Sequence, residues 1–434
     1  MTRRRFLSLA ALAPLCVLAG SAWAQSGSAD PVFADIPLRD WLRGSERSAL
    51  RWSEHIEPAR LGSQQRLLLQ MTIQLDGEEI ADRPGKGRLL LLIQITDPHG
   101  GIWQDHGAPE FKKVEEGVRS QYLDYTWSVF VLPGDYRVAL AVVDTQTHDH
   151  GVREERVHVA ATRNDPLPDA WRSLPAVEFL APDEPPAFWY QPDIRGRLHL
   201  PLETRRPVRV DVLVNLTPSE RASGSPGAQN NNLRVLLPAL KVLSQMDLRN
   251  GSMNVSLLDL TRRKVTLKRE LQGLDWPTLL NALGTQETGT IDVASLGERS
   301  RSAGFFVSEV RRRIAANEGE AHALVILSSA VEFEKGEDLK PIDAAPSPDL
   351  RVFYFRFPAL QERPRRSEGV MRGYGRHGGG MPGGWRRPGY QGQELQIDQL
   401  APVLKPLAPR LHDIESPDQF RKALAAMMDE ISRM

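Results

Sequence analysis

The chain has 434 residues, of which 41% are hydrophobic, enough for more than one buried core. Its 55 basic and 55 acidic residues cancel, which argues against a dedicated nucleic-acid binder. Its single cysteine, Cys16, excludes a disulfide framework, a thiolate metal cluster and, if the first residues are removed, a cysteine nucleophile.

The amino terminus opens with Thr2-Arg3-Arg4-Arg5-Phe6-Leu7-Ser8, continues with an apolar stretch from Leu9 to Gly20, and reaches Ala22-Trp23-Ala24 before Gln25. A charged start, a short apolar run and a small-x-small pattern describe an export signal over residues 1–24. The apolar run falls short of the roughly 20 residues that span a bilayer. The arginines ahead of Phe6-Leu7 resemble a twin-arginine signal. Leu15 before Cys16 is too large for a lipoprotein cleavage site. Cleavage after Ala24 removes three arginines and no acid, leaving 52 basic against 55 acidic residues, a net charge of −3. The expected location is therefore periplasmic or extracellular, with no transmembrane segment in the mature chain.

After a polar lead-in with Trp41 and Trp52, residues 67–75, 88–96, 122–132 and 135–144 read as strands, bounded by Gly, Pro and Asp. Pro133-Gly134 supplies the turn between the last two. With a further strand at 155–160, the spacing predicts an all-β, immunoglobulin-like sandwich over residues 30–162. Residues 163–206 form a Pro- and Asp-rich connector in which Asp165-Pro166-Leu167-Pro168 and Pro182-Asp183-Glu184-Pro185-Pro186 disfavour regular structure.

Beyond Pro207 strands and helices alternate. Val208–Val214 is a buried-type strand, and Leu236, Leu237, Leu240, Leu243 and Met246 share a helix face. Residues 253–259 and 264–271 form a hairpin, and 274–283 a short helix. Phe306, Val310 and Ile314 mark another helix, 323–327 and 350–355 are strands, 395–407 has a helical pattern and 410–414 is a short strand. Ser416 caps a last helix carrying Phe420, Leu424, Met427 and Ile431. This order predicts a doubly wound α/β domain over residues 207–434 with an antiparallel hairpin.

Val208 to Ser219 reads VRVDVLVNLTPS, an apolar strand running into Asn215-Leu216-Thr217-Pro218-Ser219. At that position and spacing, von Willebrand factor type A domains carry Asp-x-Ser-x-Ser, the first loop of a metal-ion-dependent adhesion site. Together with the hairpin after the first helix, the segment 207–434 resembles this family. The whole chain resembles secreted bacterial proteins related to it. The resemblance implies three ligand loops at the carboxyl ends of the strands. The first maps onto Asn215, Thr217 and Ser219. The second, normally a Thr, maps onto Thr290, with Thr285 and Thr288 as alternatives. The third, normally Thr-Asp-Gly, maps onto Ser328-Ser329-Ala330, so that Ser329 stands in place of the acid. Both acidic positions are lost. A hard divalent cation wants oxygen ligands and usually carboxylates, so at most weak Mg²⁺ binding is expected and no other cofactor. A repaired site would draw on Asp292, Glu332 or Glu334.

Two other clusters stand out. His148-Asp149-His150, with His99, Asp105 and His106, offers metal-ligating side chains, but in apparent hairpin turns where short polar residues are expected anyway. Residues 361–394 form an Arg/Gly-rich insertion with Tyr374, Trp385 and Tyr390, expected to be disordered and able to attract an anionic envelope polymer or an acidic partner. No nucleophile elbow, His-Glu-x-x-His or phosphate-cradling loop is present. The sequence thus points to an exported, non-catalytic interaction or adhesion module with a protein partner and no nucleic acid. The alternatives are an exported enzyme of unfamiliar type and a cation-dependent binder with a repaired metal site.

Overall fold

The computed structural model describes residues 31–44, 50–81, 89–109, 119–180, 194–217, 228–272, 274, 278–279, 283, 302–317, 319–333, 340–343, 347–358 and 398–434. The segment 1–24 expected to be an export signal, the 361–394 segment and most of the helix expected at 274–283 lie outside them.

Two antiparallel sheets occupy the first part of the chain. One joins β1 (Trp52–Ile56), β2 (Arg60–Leu61), β3 (Leu67–Asp76), β6 (Tyr122–Val131) and β9 (Val177–Phe179). The other is ordered β5 (Ile102–Gly107), β4 (Leu89–Thr96), β7 (Gly134–Asp144), β8 (His150–Val159). In β3, Leu67, Leu69, Met71, Ile73 and Leu75 are buried and the residues between them are not, the period-2 signature of a strand covered on one face. These side chains pack against Leu91, Ile93, Ile95, Val138, Leu140 and Val142 of the opposite sheet in one common core. The outer face of the second sheet is covered at Leu92, Ala141 and Val143 by Phe33 and by Leu38 of α1 (Leu38–Arg43), and the short α2 (Gly77–Ala81) follows β3. Buried Tyr136 donates its hydroxyl to the Leu132 and Ala176 carbonyls at 2.8 and 3.2 Å, which ties the β6–β7 turn to the segment entering β9.

The second part is built on a six-stranded sheet ordered β14 (Lys264–Glu270), β13 (Gly251–Asp259), β11 (Val208–Asn215), β15 (Ala321–Ser329), β16 (Leu350–Phe357), β17 (Arg410–Asp413). All pairs are parallel except β13–β14. Every residue of β15 is buried, because both faces of the sheet are covered. On one side lie α3 (Ala228–Leu243) and α6 (Pro417–Ser432), packed against Val210, Val212, Val255, Val325 and Phe355. On the other lie α4 (Ser302–Ala315) and α5 (Leu400–Leu404), packed against Leu213, Leu258, Leu324, Ile326 and Tyr354. Ser416 starts α6 with a reciprocal capping box to Gln419. Gly251 at φ +144° is required where β13 meets β11, since a Cβ there would lie 1.9 Å from the Val208 carbonyl oxygen.

This architecture corrects the expected doubly wound α/β domain preceded by an immunoglobulin-like sandwich. The described chain is strand-rich, with mixed and antiparallel sheets. The reason lies in the connections. The β13–β14 pair is the hairpin expected at 253–259 and 264–271, with Asp259 opposite Lys264, so it is not the departure. The crossover from β15 to β16 carries no helix among its described residues, and Val331, Phe333 and Ile342 from that segment fill the core instead. A separate two-stranded parallel sheet pairs β10 (Leu200–Leu202) with β12 (Met246–Leu248).

The described parts of the connector, 163–180 and 194–206, are more ordered than the prolines at 166 and 168 suggest. Ala170, Leu174 and Leu198 are buried in the core of the six-stranded sheet, while Trp171 and Phe179 pack on the core of the antiparallel pair. Arg421 of α6 is 1% exposed; it makes two charge-assisted hydrogen bonds to Asp165 at 2.6 and 2.7 Å and stacks over Trp171 at 4.7 Å. The Trp171 indole donates to the Gln65 carbonyl, and the Gln65 side-chain amide donates to the Pro417 carbonyl. Buried Arg66 pairs with Glu178 at 2.5 Å and lies over Phe130 at 4.4 Å. Proline-rich sequence here gives irregular backbone whose polar groups are satisfied by long-range partners.

Candidate site at the carboxyl end of the six-stranded sheet

Parallel strands point their carboxyl ends at the same edge, where open sheets of this kind bind ligands. β11 delivers Asn215 there and β15 delivers Ser328 and Ser329; all three are at most 1% exposed. Asn215 sits on the α4 side of the sheet with Leu213, in register with Leu258. Its Nδ2 donates to Ser328 Oγ at 2.9 Å, and its Oδ1 accepts the Thr217 backbone N–H at 3.0 Å, closing a turn on itself. Ser328 Oγ in turn donates to the Ser329 carbonyl at 2.6 Å. Ser329 Oγ donates to Asn232 Oδ1 at 2.5 Å, and Asn232 Nδ2 donates to the Leu216 carbonyl at 2.9 Å. Thr217 Oγ1 accepts the Leu260 N–H at 2.7 Å, which joins the first loop to the β13–β14 turn.

The sequence therefore brings Asn215, Thr217 and Ser329 to one end of the sheet. Ser219, Thr290, Thr285, Thr288, Asp292 and Glu334 lie outside the described residues. Glu332 is partly exposed and engaged. Among the described residues no group of three or more His, Cys, Asp or Glu side chains is placed to hold a metal ion. Asn215 Oδ1, Asn232 Oδ1 and Thr217 Oγ1 each accept a protein donor. All three are neutral oxygens and bring no charge to a hard cation, which usually binds through carboxylates.

The network extends beyond the residues the sequence singled out. Fully buried Tyr354, close to Ser328, donates its hydroxyl to Asp398 Oδ1 at 3.3 Å. Burial, reinforced by the Asp398 charge, holds the Tyr354 ionisation well above the ordinary phenol range, so this phenol is a donor and not a base. Asp398 is tied to Arg356 at 3.2 Å, and Arg356 reaches Asp413 at 2.6 Å. Asn232, Tyr354 and Asp398 were not legible from spacing, because they arrive from α3, β16 and the start of α5.

A second buried polar cluster was missed as well. Asp211, 1% exposed in the middle of β11, accepts from Arg313 at 3.3 Å and Asn317 at 3.2 Å, and faces His322 Nε2 at 3.1 Å. Arg313 also donates to Ser256 at 2.6 Å. Burial alone would raise the Asp211 pKa, but the hydrogen bond and charge of His322 and the charges of Arg313 and Arg209 together hold it below the usual carboxylate range. An acid inside VRVDVLVN was the available signal, since a buried charge needs a partner. The cluster sits part-way along the strand under α4 and binds helix to sheet.

Of the histidine clusters, His99 and His148 lie in turns, whereas Asp105 and His106 belong to β5 and His150 opens β8. Asp97 accepts the His99 and Gly101 N–H groups and the Trp103 indole. Asp105 accepts the Trp127 indole at 3.1 Å across the two antiparallel sheets. His148 has φ +63° in a turn, and His150 stacks on Trp41 at 4.0 Å.

No family model matches this chain, and no curated protein matches it. Among solved structures, similarity is found to a Northeast Structural Genomics Consortium target at 16% identity, covering 28% of this chain and 96% of that one, with a TM-score of 0.18. A Bordetella pertussis protein described as ApaA is 12% identical over 27% of this chain and all of its own, with a TM-score of 0.18. A calcium-binding mutant of β-glucuronidase 2 from Bacteroides uniformis is 9% identical over 64% of this chain and 33% of that one, with a TM-score of 0.17. At these TM-scores the likenesses carry no argument. Among the described residues no helix is long and apolar enough to cross a membrane.

Proposed function

We propose that the chain is an exported, non-catalytic protein-interaction module of the von Willebrand type A-related kind, working without a bound divalent cation. The observation that carries this reading is the closed hydrogen-bond circuit Asn215–Ser328–Ser329–Asn232 at the carboxyl end of the sheet. Those residues act as a structural floor whose donors and acceptors serve the fold. An enzyme acting there would need a nucleophile or base presented to substrate, and Ser328, Ser329 and Tyr354 are instead buried and committed as donors. The export signal and the type A resemblance supply the setting; the self-satisfied floor supplies the loss of metal dependence.

The test has two arms. Calorimetric titration of the mature chain with Mg²⁺ and Mn²⁺ is expected to show no saturation at micromolar metal. Crosslinking in intact cells, followed by identification of the captured protein and reconstitution with the purified chain, is expected to give a saturable complex unaffected by EDTA. A complex abolished by EDTA, or metal saturation removed by Thr217→Ala, would overturn the metal-free reading. Turnover of a substrate that is lost on Ser329→Ala would overturn the non-catalytic one.

A further inference from the structure

The loop holding Thr217 touches the β13–β14 turn through the Leu260–Thr217 hydrogen bond, so that hairpin forms one rim of the candidate site. The hairpin reads Thr261-Arg262-Arg263-Lys264-Val265-Thr266-Leu267-Lys268-Arg269-Glu270, with five basic residues and one acid, in a chain whose basic and acidic residues balance overall. Lys264, Lys268 and Arg269 are exposed, and among the described residues none takes part in an ion pair. Arg262 is also exposed, with Asp259 at 3.7 Å. β14 ends the strand order, so among the described residues its outer backbone edge is unpaired. A register shift opposite Leu257 and Leu258 interrupts the strand at Thr266, and Leu267 anchors its second half in the core.

We propose that this edge, residues 264–270, docks an acidic extended segment of the partner protein as an added strand. The inference rests on the interaction reading above and names the partner's chemistry. Free backbone donors and acceptors at strand spacing suit another peptide backbone, and the three unpaired cations suit carboxylates carried on it. A second copy of this chain is disfavoured, because lysines and a bulge on an edge oppose pairing with a like-charged edge. The floor beside the hairpin has lost its acids at Asn215 and Ser329, so no fixed carboxylate of that floor opposes an anionic ligand arriving at this rim.

The experiment uses the mature chain and a fluorescent ten-residue peptide of alternating Glu and Thr. Saturable anisotropy change is expected, weakening as salt rises. Lys264→Glu/Lys268→Glu/Arg269→Glu is expected to weaken binding by about tenfold or more, three lost surface pairs turned to repulsion, while Arg156→Glu on β8 changes nothing. Hydrogen exchange at the β14 amides is expected to slow when the peptide binds. The neutral variant Lys264→Gln/Lys268→Gln/Arg269→Gln serves if charge reversal lowers the melting temperature. Absence of binding, binding indifferent to both triple variants, or equal binding of a DNA duplex without β14 protection would each overturn the strand dock. A reconstituted complex with the captured partner that leaves β14 amides unprotected refutes this dock alone. Failure of crosslinking to give any saturable protein neighbour refutes the interaction reading while leaving the peptide result to stand.

Discussion

Placing an acid at Asn215 of the candidate site should destabilise the protein. In Asn215→Asp the new side chain has the same shape and the same 1% exposure, but loses the donor that meets Ser328 Oγ at 2.9 Å. The Ser328 hydroxyl proton is already committed to the Ser329 carbonyl at 2.6 Å. Either two oxygens face each other, or Ser328 turns and leaves that carbonyl unsatisfied, which alone costs about 1–3 kcal/mol. The nearby cation Arg356 is held by Asp398 and Asp413, so the buried charge brings the total to roughly 3 kcal/mol at neutral pH. Burial without a cation raises the folded pKa of the new carboxyl above its unfolded value of about 4. The penalty is therefore present above the folded pKa and fades as pH falls towards the unfolded one, where the protonated acid can again donate to Ser328. Urea unfolding of wild type and variant between neutral pH and about pH 4, with and without millimolar Mg²⁺, reads all of this. A variant as stable as wild type at neutral pH would refute the buried-floor reasoning. So would a deficit that widens on acidification, and rescue by Mg²⁺ would show that the floor still accepts a cation.

Arg421→Met should cost about 3 kcal/mol at neutral pH, because it strands Asp165 and empties the stack on Trp171. Burial works against Asp165, yet hydrogen bonds from Arg421 and Leu167 and the Arg421 charge hold its pKa below the ordinary range. Its contribution is present above the unfolded pKa of about 4 and is lost as pH falls through the folded one, so the gap between variant and wild type should shrink in urea melts taken in strong acid. Gly251→Ala should lower stability by about 3 kcal/mol, since its Cβ meets the Val208 carbonyl in a left-handed backbone; an unchanged thermal midpoint would contradict the β11–β13 register. Burial, offset by the hydrogen bond to Leu132 and aided by Asp97, pushes Tyr136 ionisation up to about 12. Tyrosinate absorbance should therefore show a late phase that loses one tyrosine's amplitude in Tyr136→Phe, together with a loss of about 1 kcal/mol in stability.

Local elements were legible in the sequence wherever one residue pattern had one physical solution. The alternation in Leu67–Leu75 needs a strand with one covered face, and the apolar run Val208–Val214 needs a strand covered on both. Ser416, with Gln419 three residues on, sets the start of α6. Asn215, Thr217 and Ser329 could be placed at one end of a sheet because each follows an apolar strand. What those side chains do there was decided by partners distant in the chain. Asn232 satisfies Ser329 from 97 residues away, and Tyr354 reaches Asp398 over 44. The connector shows the same division. Its prolines specify irregular backbone, but only packing brings Arg421 to Asp165 across 256 residues and orders that backbone between two cores. Pattern fixes local geometry through backbone sterics and the period of burial. Satisfaction of buried polar groups is a property of the assembled tertiary structure, since the donor and the acceptor are chosen by proximity in space.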